Sequence, residues 1–263
     1  MIEINSASVK YSKKQLRYAL ESVSLTVQSE KVVIVGPNGS GKTTILKLLL
    51  GLARISKGEA KVMGKNVLGI SNDVSLSTNL PETYRLVKGT VRDIVKVYAE
   101  LRGGDPNEAL RTMEDFNLAE TFGSQLFALS SGQQKMVCNI LALSFSPKIV
   151  LLDEPFDNID QSGRLKLLHL IINLDAEIIL NTHEFDLLNR LMDWGMYFII
   201  EGKLFGKFKC AQLRSLYINR DEVPGNIAVM DTSFGKFSIT ENSGTIPIAS
   251  ARNLNSLFDE VAR

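Results

Sequence analysis

An α/β fold built on a parallel-sheet core, with helices inserted into it, is what this sequence predicts. Three observations carry the prediction. Lys31 to Val35, Lys148 to Leu152, Glu177 to Asn181 and Gly195 to Ile200 are short apolar runs of the length and composition of strands buried on both faces. Stretches of helical spacing alternate with them, which implies parallel neighbours joined by right-handed crossovers. Between the first and second runs, from about Thr90 to Phe127, the apolar spacing is helical and no convincing strand occurs.

Taken in order, Ser22 to Gln28 places an apolar residue at every second position, as a half-buried strand does. Lys31 to Val35 runs into a Gly-rich turn, and Thr43 to Leu52 then repeats Ile45, Leu46, Leu48, Leu49 and Leu52 at helical spacing, completing a strand–loop–helix unit. Val91, Ile94, Val95, Tyr98 and Leu101 mark an amphipathic helix, and Asp105-Pro106 starts another that carries Leu110, Met113 and Phe116. A further helix begins after Gly132 and runs to about Phe145, where Ser146-Pro147 stops it. From about Lys207 the character changes. Phe208 to Tyr217 reads as a helix, and Val223-Pro224-Gly225, Ile227 to Met230 and Phe234 to Ile239 follow as a small β-containing appendix. No internal repeat or low-complexity tract is visible.

Composition narrows the function classes. The 263 residues fit one large domain or two small ones, and 44% apolar with 22% charged residues excludes wholesale disorder. Lys+Arg 30 against Asp+Glu 29 leaves a net charge of +1, which argues against a dedicated nucleic-acid binder. The longest apolar runs, Ile45 to Ala53 and Trp194 to Ile200, fall short of the roughly 20 residues that cross a bilayer. Met1 to Asn5 has neither the basic nor the apolar region of a secretory signal. Cys138 and Cys210 are too few for a disulfide framework; they read as small buried apolar residues in a reducing cytoplasm.

Gly36-Pro37-Asn38-Gly39-Ser40-Gly41-Lys42-Thr43 fills every fixed position of G-x-x-x-x-G-K-[ST], with a strand before it and a helix after it. The glycines let the backbone turn tightly and bring N–H groups close to phosphate oxygens, and the helix N-terminus adds its dipole and free donors. Lys42 supplies positive charge for the β- and γ-phosphates, the Thr43 hydroxyl is suited to Mg²⁺, and Thr44 completes the phosphate-binding set. A cradle of this kind serves kinases, GTPases and ATPases alike.

Val150-Leu151-Leu152-Asp153-Glu154-Pro155 puts two carboxylates where a buried strand ends, the edge at which parallel sheets bind ligands. Asp153 is suited to the Mg²⁺ shell and Glu154 to polarising an attacking water. His183 follows the next strand and is expected near the same edge, where an imidazole can hydrogen-bond the γ-phosphate or the water.

Leu129-Ser130-Ser131-Gly132-Gln133-Gln134 resembles the L-S-G-G-Q signature of the ATP-binding cassette (ABC) ATPases, with Ser131 where the family has glycine; a left-handed backbone there costs serine more than glycine. With the cradle, the acidic strand and His183 in the same order, the resemblance covers roughly residues 2 to 206. It implies a P-loop NTPase of the ABC type: a parallel-sheet core, an N-terminal antiparallel β part and an inserted helical subdomain at about 80–145, all within residues 1–206, with 207–263 as an extension of unassigned role. It also implies ATP and Mg²⁺ as ligands. The signature residues Ser130, Gly132 and Gln133 would serve the nucleotide of a second cassette, of the same or a different kind. Asn158-Ile159-Asp160 fits the family's D-loop, with Asp160 as its acidic end. Tyr11 stands where the family stacks an aromatic on adenine, with Tyr18 as competitor. The family's Q-loop glutamine is missing from Val74 to Asn79, and Asn79 is the substitute expected near Mg²⁺.

The expected function is therefore the ATP-hydrolysing subunit of an ABC transporter, working with transmembrane permease subunits, on the cytoplasmic face of the membrane and without nucleic acid. Tyr98 to Gly103 resembles exporter-type cassettes. The alternative is a soluble ABC ATPase acting on the ribosome or DNA. Against it, this sequence has one cradle and one signature, with no coiled-coil array between them.

Overall fold

The alternation of buried and exposed side chains from Ser22 to Val27 makes β2, Leu20–Val27, a strand with one wet face, and it pairs antiparallel with β1, Ile2–Val9. This computed structural model describes residues 1–12, 17–70, 73–84, 87–233, 235–251 and 254. Lys31–Val35 forms β3, with every residue after Lys31 buried, and Lys42–Leu49 forms the helix α1. Ile55–Val62 (β4) and Lys65–Asn66 (β5) complete an antiparallel sheet of order β2-β1-β4-β5. The elements that follow are β6 (Leu76–Thr78), α2 (Val91–Arg102), α3 (Pro106–Asp115), α4 (Ser131–Leu143), β7 (Ile149–Asp153), α5 (Gln161–Asn173) and β8 (Glu177–Thr182). The chain then adds β9 (Gly195–Ile200), β10 (Lys203–Lys209), β11 (Leu216–Arg220), β12 (Ala228–Thr232), β13 (Gly235–Glu241) and β14 (Ile246–Pro247).

These elements form two compact units, residues 1–71 with 181–263 and residues 72–180. In the first unit β9 lies parallel to β3 and antiparallel to β10, and all six β9 residues are buried. In the second unit β6 and β7 run parallel, in the order β8-β7-β6, and the helices α2, α3 and α4 pack among themselves. The β3–β9 pair joins two of the predicted apolar runs, whereas in the β6–β7 pair only β7 is one of them.

Local chemistry sets the helix starts in the second unit. Thr90 and Asp93 form a reciprocal capping box at the head of α2, and Gly103 closes the helix in a left-handed turn. Asp105 caps α3, with Pro106 in the first helical position. Behind these helices the Arg102 guanidinium donates to the Ser144 and Leu76 carbonyls.

The extension departs from the helix expected over Phe208 to Tyr217. Phe208 and Lys209 belong to β10, Cys210–Arg214 is a 3-10 turn, and Leu216 already starts β11. The apolar spacing of Phe208, Cys210, Leu213 and Leu216 mimics a helix because the turn rotates those four inward, between two strands whose ladders fix the backbone. The expected boundary at 206/207 thus falls inside β10. The β-containing appendix is an antiparallel sheet of order β12-β13-β11-β14. Phe234, the first residue of the expected run, lies outside the described residues.

Cys138 and Cys210 are both free and buried, and burial pushes each thiol up to about 12. The thiolate is the reactive form. Both are therefore expected to resist iodoacetamide at pH 8 in the native protein and to react after denaturation, as read by mass spectrometry; modification of either in the native chain contradicts their burial.

Candidate functional site

In the first unit the chain leaves β3 and folds the Gly36–Thr43 stretch back over the start of α1. The Gly36 N–H donates to the Thr182 carbonyl at 3.2 Å, and the Gly202 N–H donates to the Ser40 carbonyl at 2.8 Å, so the loop is tied at its start and near its end. Gly39 and Gly41 hold φ of 78° and 110°, a region closed to most side chains. A Cβ on Gly41 would also sit 2.7 Å from the Ala19 carbonyl oxygen. Lys42 is only 5% exposed, and its Nζ donates to the carbonyls of Gly36 at 2.7 Å and Pro37 at 3.1 Å. The ammonium is thus folded into its own loop.

Tyr11 and His183 belong to the same unit. Tyr11 is 57% exposed, and its hydroxyl lies 3.1 Å from Thr44 Oγ1, in the first turn of α1. A large aromatic face held open beside the cradle can accept a flat ring. Tyr18, the competitor, has Lys10 Nζ over its ring at 4.2 Å. His183 follows β8 and is half-buried. The Thr182 carbonyl is the one that ties Gly36, so the histidine follows immediately on a residue bonded to the start of the cradle.

The second unit holds the acidic strand end. Asp153 is the last residue of β7, and Glu154 follows in a left-handed conformation, φ 44°. For a side chain that branches no earlier than Cδ this costs on the order of 1–2 kcal/mol. Asn79 is buried just after β6, and its amide is directed at main chain: Oδ1 accepts the Asp153 N–H at 2.7 Å, and Nδ2 donates to Asn139 Oδ1 at 2.7 Å and to the Asp153 carbonyl at 3.2 Å. Asn79, expected near the metal, spends its amide on the residue that carries the carboxylate. Asn139, a residue that sequence reasoning passes over, joins this network. The signal that marks it is a polar side chain at a core position of α4, between Cys138 and Ile140.

Ser130 caps α4, and Gln133 closes the box: Ser130 Oγ accepts the Gln133 N–H at 3.3 Å, and Gln133 Oε1 accepts the Ser130 N–H at 3.2 Å. Ser131 is the first helical residue and is absent from the left-handed positions, so serine bears no such penalty there. Gly132 is fixed by closeness: a Cβ would stand 2.5 Å from the Asn158 carbonyl oxygen. Asp160 caps α5, its Oδ1 accepting the Gly163 N–H at 2.8 Å.

These residues fit a phosphate group and a hard cation. Ser40 Oγ is buried and meets no hydrogen-bond partner among the described residues. Gly41, the N-cap of α1, supplies no side-chain cap, which leaves the first-turn N–H donors for an anion. Thr43 in the first unit and Asp153 in the second each carry an oxygen of the kind that Mg²⁺ takes.

Residues 20–157 match the family described as ABC transporter. The tungstate uptake system ATP-binding protein TupC of Peptoclostridium acidaminophilum is 29% identical, over 70% of this chain and 89% of that one. The macrolide export ATP-binding/permease protein MacB of Chlorobium phaeobacteroides is 32% identical, over 64% of this chain and 28% of that longer protein. Among solved structures, a putative cobalt transport ATP-binding protein superposes with a TM-score of 0.89 at 36% identity, covering 98% of this chain and 99% of that one.

Proposed function

This chain belongs to the ABC transporter family, and on that premise we propose that it binds MgATP and hydrolyses it to drive a membrane permease. It is an ABC ATPase cassette, the ATP-binding subunit of such a system. Among the described residues no helix is long and apolar enough to cross a membrane. On the proposed reading, transmembrane permease subunits form the pore and the cassette acts at the cytoplasmic face.

The observation that carries the reading is Lys42: a buried ammonium kept inside a glycine cradle, at the head of a helix with no side-chain cap. The cradle N–H groups and Lys42 bind and orient the β- and γ-phosphates, and the Tyr11 ring carries the adenine. When bound, Mg²⁺ supplies positive charge against the phosphate oxygens, held by Thr43 and Asp153. Glu154 accepts a proton from the attacking water as the water's oxygen bonds to the γ-phosphorus and the bond to the ADP oxygen breaks. His183 contacts the γ-phosphate. Ser130, Gly132 and Gln133 serve the nucleotide of a second cassette, with Asp160 at the same junction. Export is the direction that Tyr98 to Gly103 supports; an uptake protein and an export protein among the relatives are both named as ATP-binding.

The test is to purify the chain from membranes of its own cells and assay phosphate release. The expected result is Mg²⁺-dependent ATPase activity that copurifies with a multi-span membrane protein. A chain recovered wholly in the soluble fraction with its natural partners present, or one without ATPase activity in the purified complex, overturns the proposal.

A further inference from the structure

We propose that Asn139 is a positioning residue for Glu154: with Asn79 it forms a buried amide clamp that holds the main chain on either side of the proposed base. The inference rests on the reading of Glu154 given above. Asn139 has no exposed surface and lies on α4 among Val137, Cys138, Ile140 and Leu141, all buried. An amide in such a place is tolerated only when its polar atoms are matched. Here they are matched to one target. Asn139 Nδ2 donates to the Pro155 carbonyl at 2.7 Å, and Asn139 Oδ1 accepts from Asn79 Nδ2 at 2.7 Å. Asn79 in turn brackets Asp153, accepting its N–H and donating to its carbonyl, and Lys135 Nζ donates to that same carbonyl at 2.9 Å.

The main-chain partners fix the orientation of both amides. Only an oxygen can accept the Asp153 N–H, and only a nitrogen can donate to the Pro155 carbonyl. The amide-to-amide bond between the two asparagines then has its donor and acceptor in the right places. Glu154 sits between the gripped residues with φ 44°. A left-handed glutamate persists when its surroundings over-determine it, and the clamp supplies that constraint. The Asn79 loop is braced as well, since the buried Tyr84 hydroxyl donates to the Thr78 carbonyl at 2.6 Å. Because α4 begins at the capped signature, the clamp joins the signature helix to the acidic strand end.

The test uses the full chain. Asn139→Ala is expected to lower kcat by roughly 10²-fold with KM for ATP nearly unchanged, as for a misplaced catalytic group. In the nucleotide-free chain, the Asp153 amide is expected to exchange with deuterium faster than in wild type, while amides of α2 and α3 keep their protection. Asn139→Asp keeps the acceptor for Asn79 and loses the donor to Pro155, so it is expected to show the same pattern, and it carries the test if the alanine variant does not fold. Combined with Asn79→Ala, the loss in kcat is expected to be less than the product of the two single losses. Wild-type kcat in the folded variant, or unchanged exchange at Asp153, overturns the clamp. So does a general loss of protection with kcat intact, which is what a merely structural role gives. Glu154→Gln separates the two levels: turnover surviving in that variant sinks the reading of the base, whereas turnover lost there but intact in Asn139→Ala sinks the clamp alone.

Discussion

Glu154→Gln is expected to lower steady-state ATP turnover by about 10²–10⁴-fold, the contribution typical of a general base, while ATP still binds. The substitution keeps the length, the branching at Cδ and the oxygen acceptor of the side chain. It removes the negative charge that receives the proton. The backbone at φ 44° is as accessible to glutamine as to glutamate, so the local fold survives. Two measurements check the result together: phosphate release and calorimetric titration with ATP. Because binding persists without hydrolysis, light scattering with ATP present is expected to show a dimer that wild-type chains release after turnover. Wild-type-like phosphate release from the variant removes Glu154 from the role of base.

That the acidic pair could be found at all follows from where it lies. A strand buried on both faces reads as an unbroken apolar run, so Ile149 to Leu152 announces both the strand and the edge at which it ends. The cradle is as legible, because each residue type in it answers a geometric demand. The N-terminal sheet was half legible. β2 alternates from Ser22 to Val27, but β1 does not: its pairing with β2 shifts between Ile4 and Ala7, breaking the period of two around Asn5 and Ser6. After Ile55, β4 continues with Ser56, Lys57, Gly58 and Glu59, which carry no apolar signal; it is a strand because the β1 ladder holds it. Phe208 to Tyr217 fails for the opposite reason, since a turn between two strands can space buried residues as a helix does. Asn139 is legible only after the structure is known. A mid-helix asparagine usually faces water, and nothing local says that its amide reaches a strand end sixteen residues on. Asn79 illustrates the same limit: the residue type suggested a ligand, and its bonds show a brace.

Lys42→Ala is the second large effect, and it acts on binding. Hydrogen bonds to charged groups contribute about 1.5–3 kcal/mol, and each 1.4 kcal/mol is tenfold in affinity, so the Kd for ATP is expected to rise roughly 10- to 100-fold. Lys42 also acts before any nucleotide binds. Its Nζ holds the Gly36 and Pro37 carbonyls, so alanine also releases the first turn of the cradle from its brace. Lys42→Arg distinguishes the two contributions. It restores the charge, but on a larger planar group, in a loop where the lysine is already 95% covered. If charge alone mattered, arginine would recover affinity. If the fit of a small ammonium between two carbonyls and the phosphates matters as well, both variants stay weak in a direct titration while their melting temperatures stay close to wild type. Unchanged affinity in Lys42→Ala would contradict the cradle itself, and with it the assignment of this loop as the phosphate site.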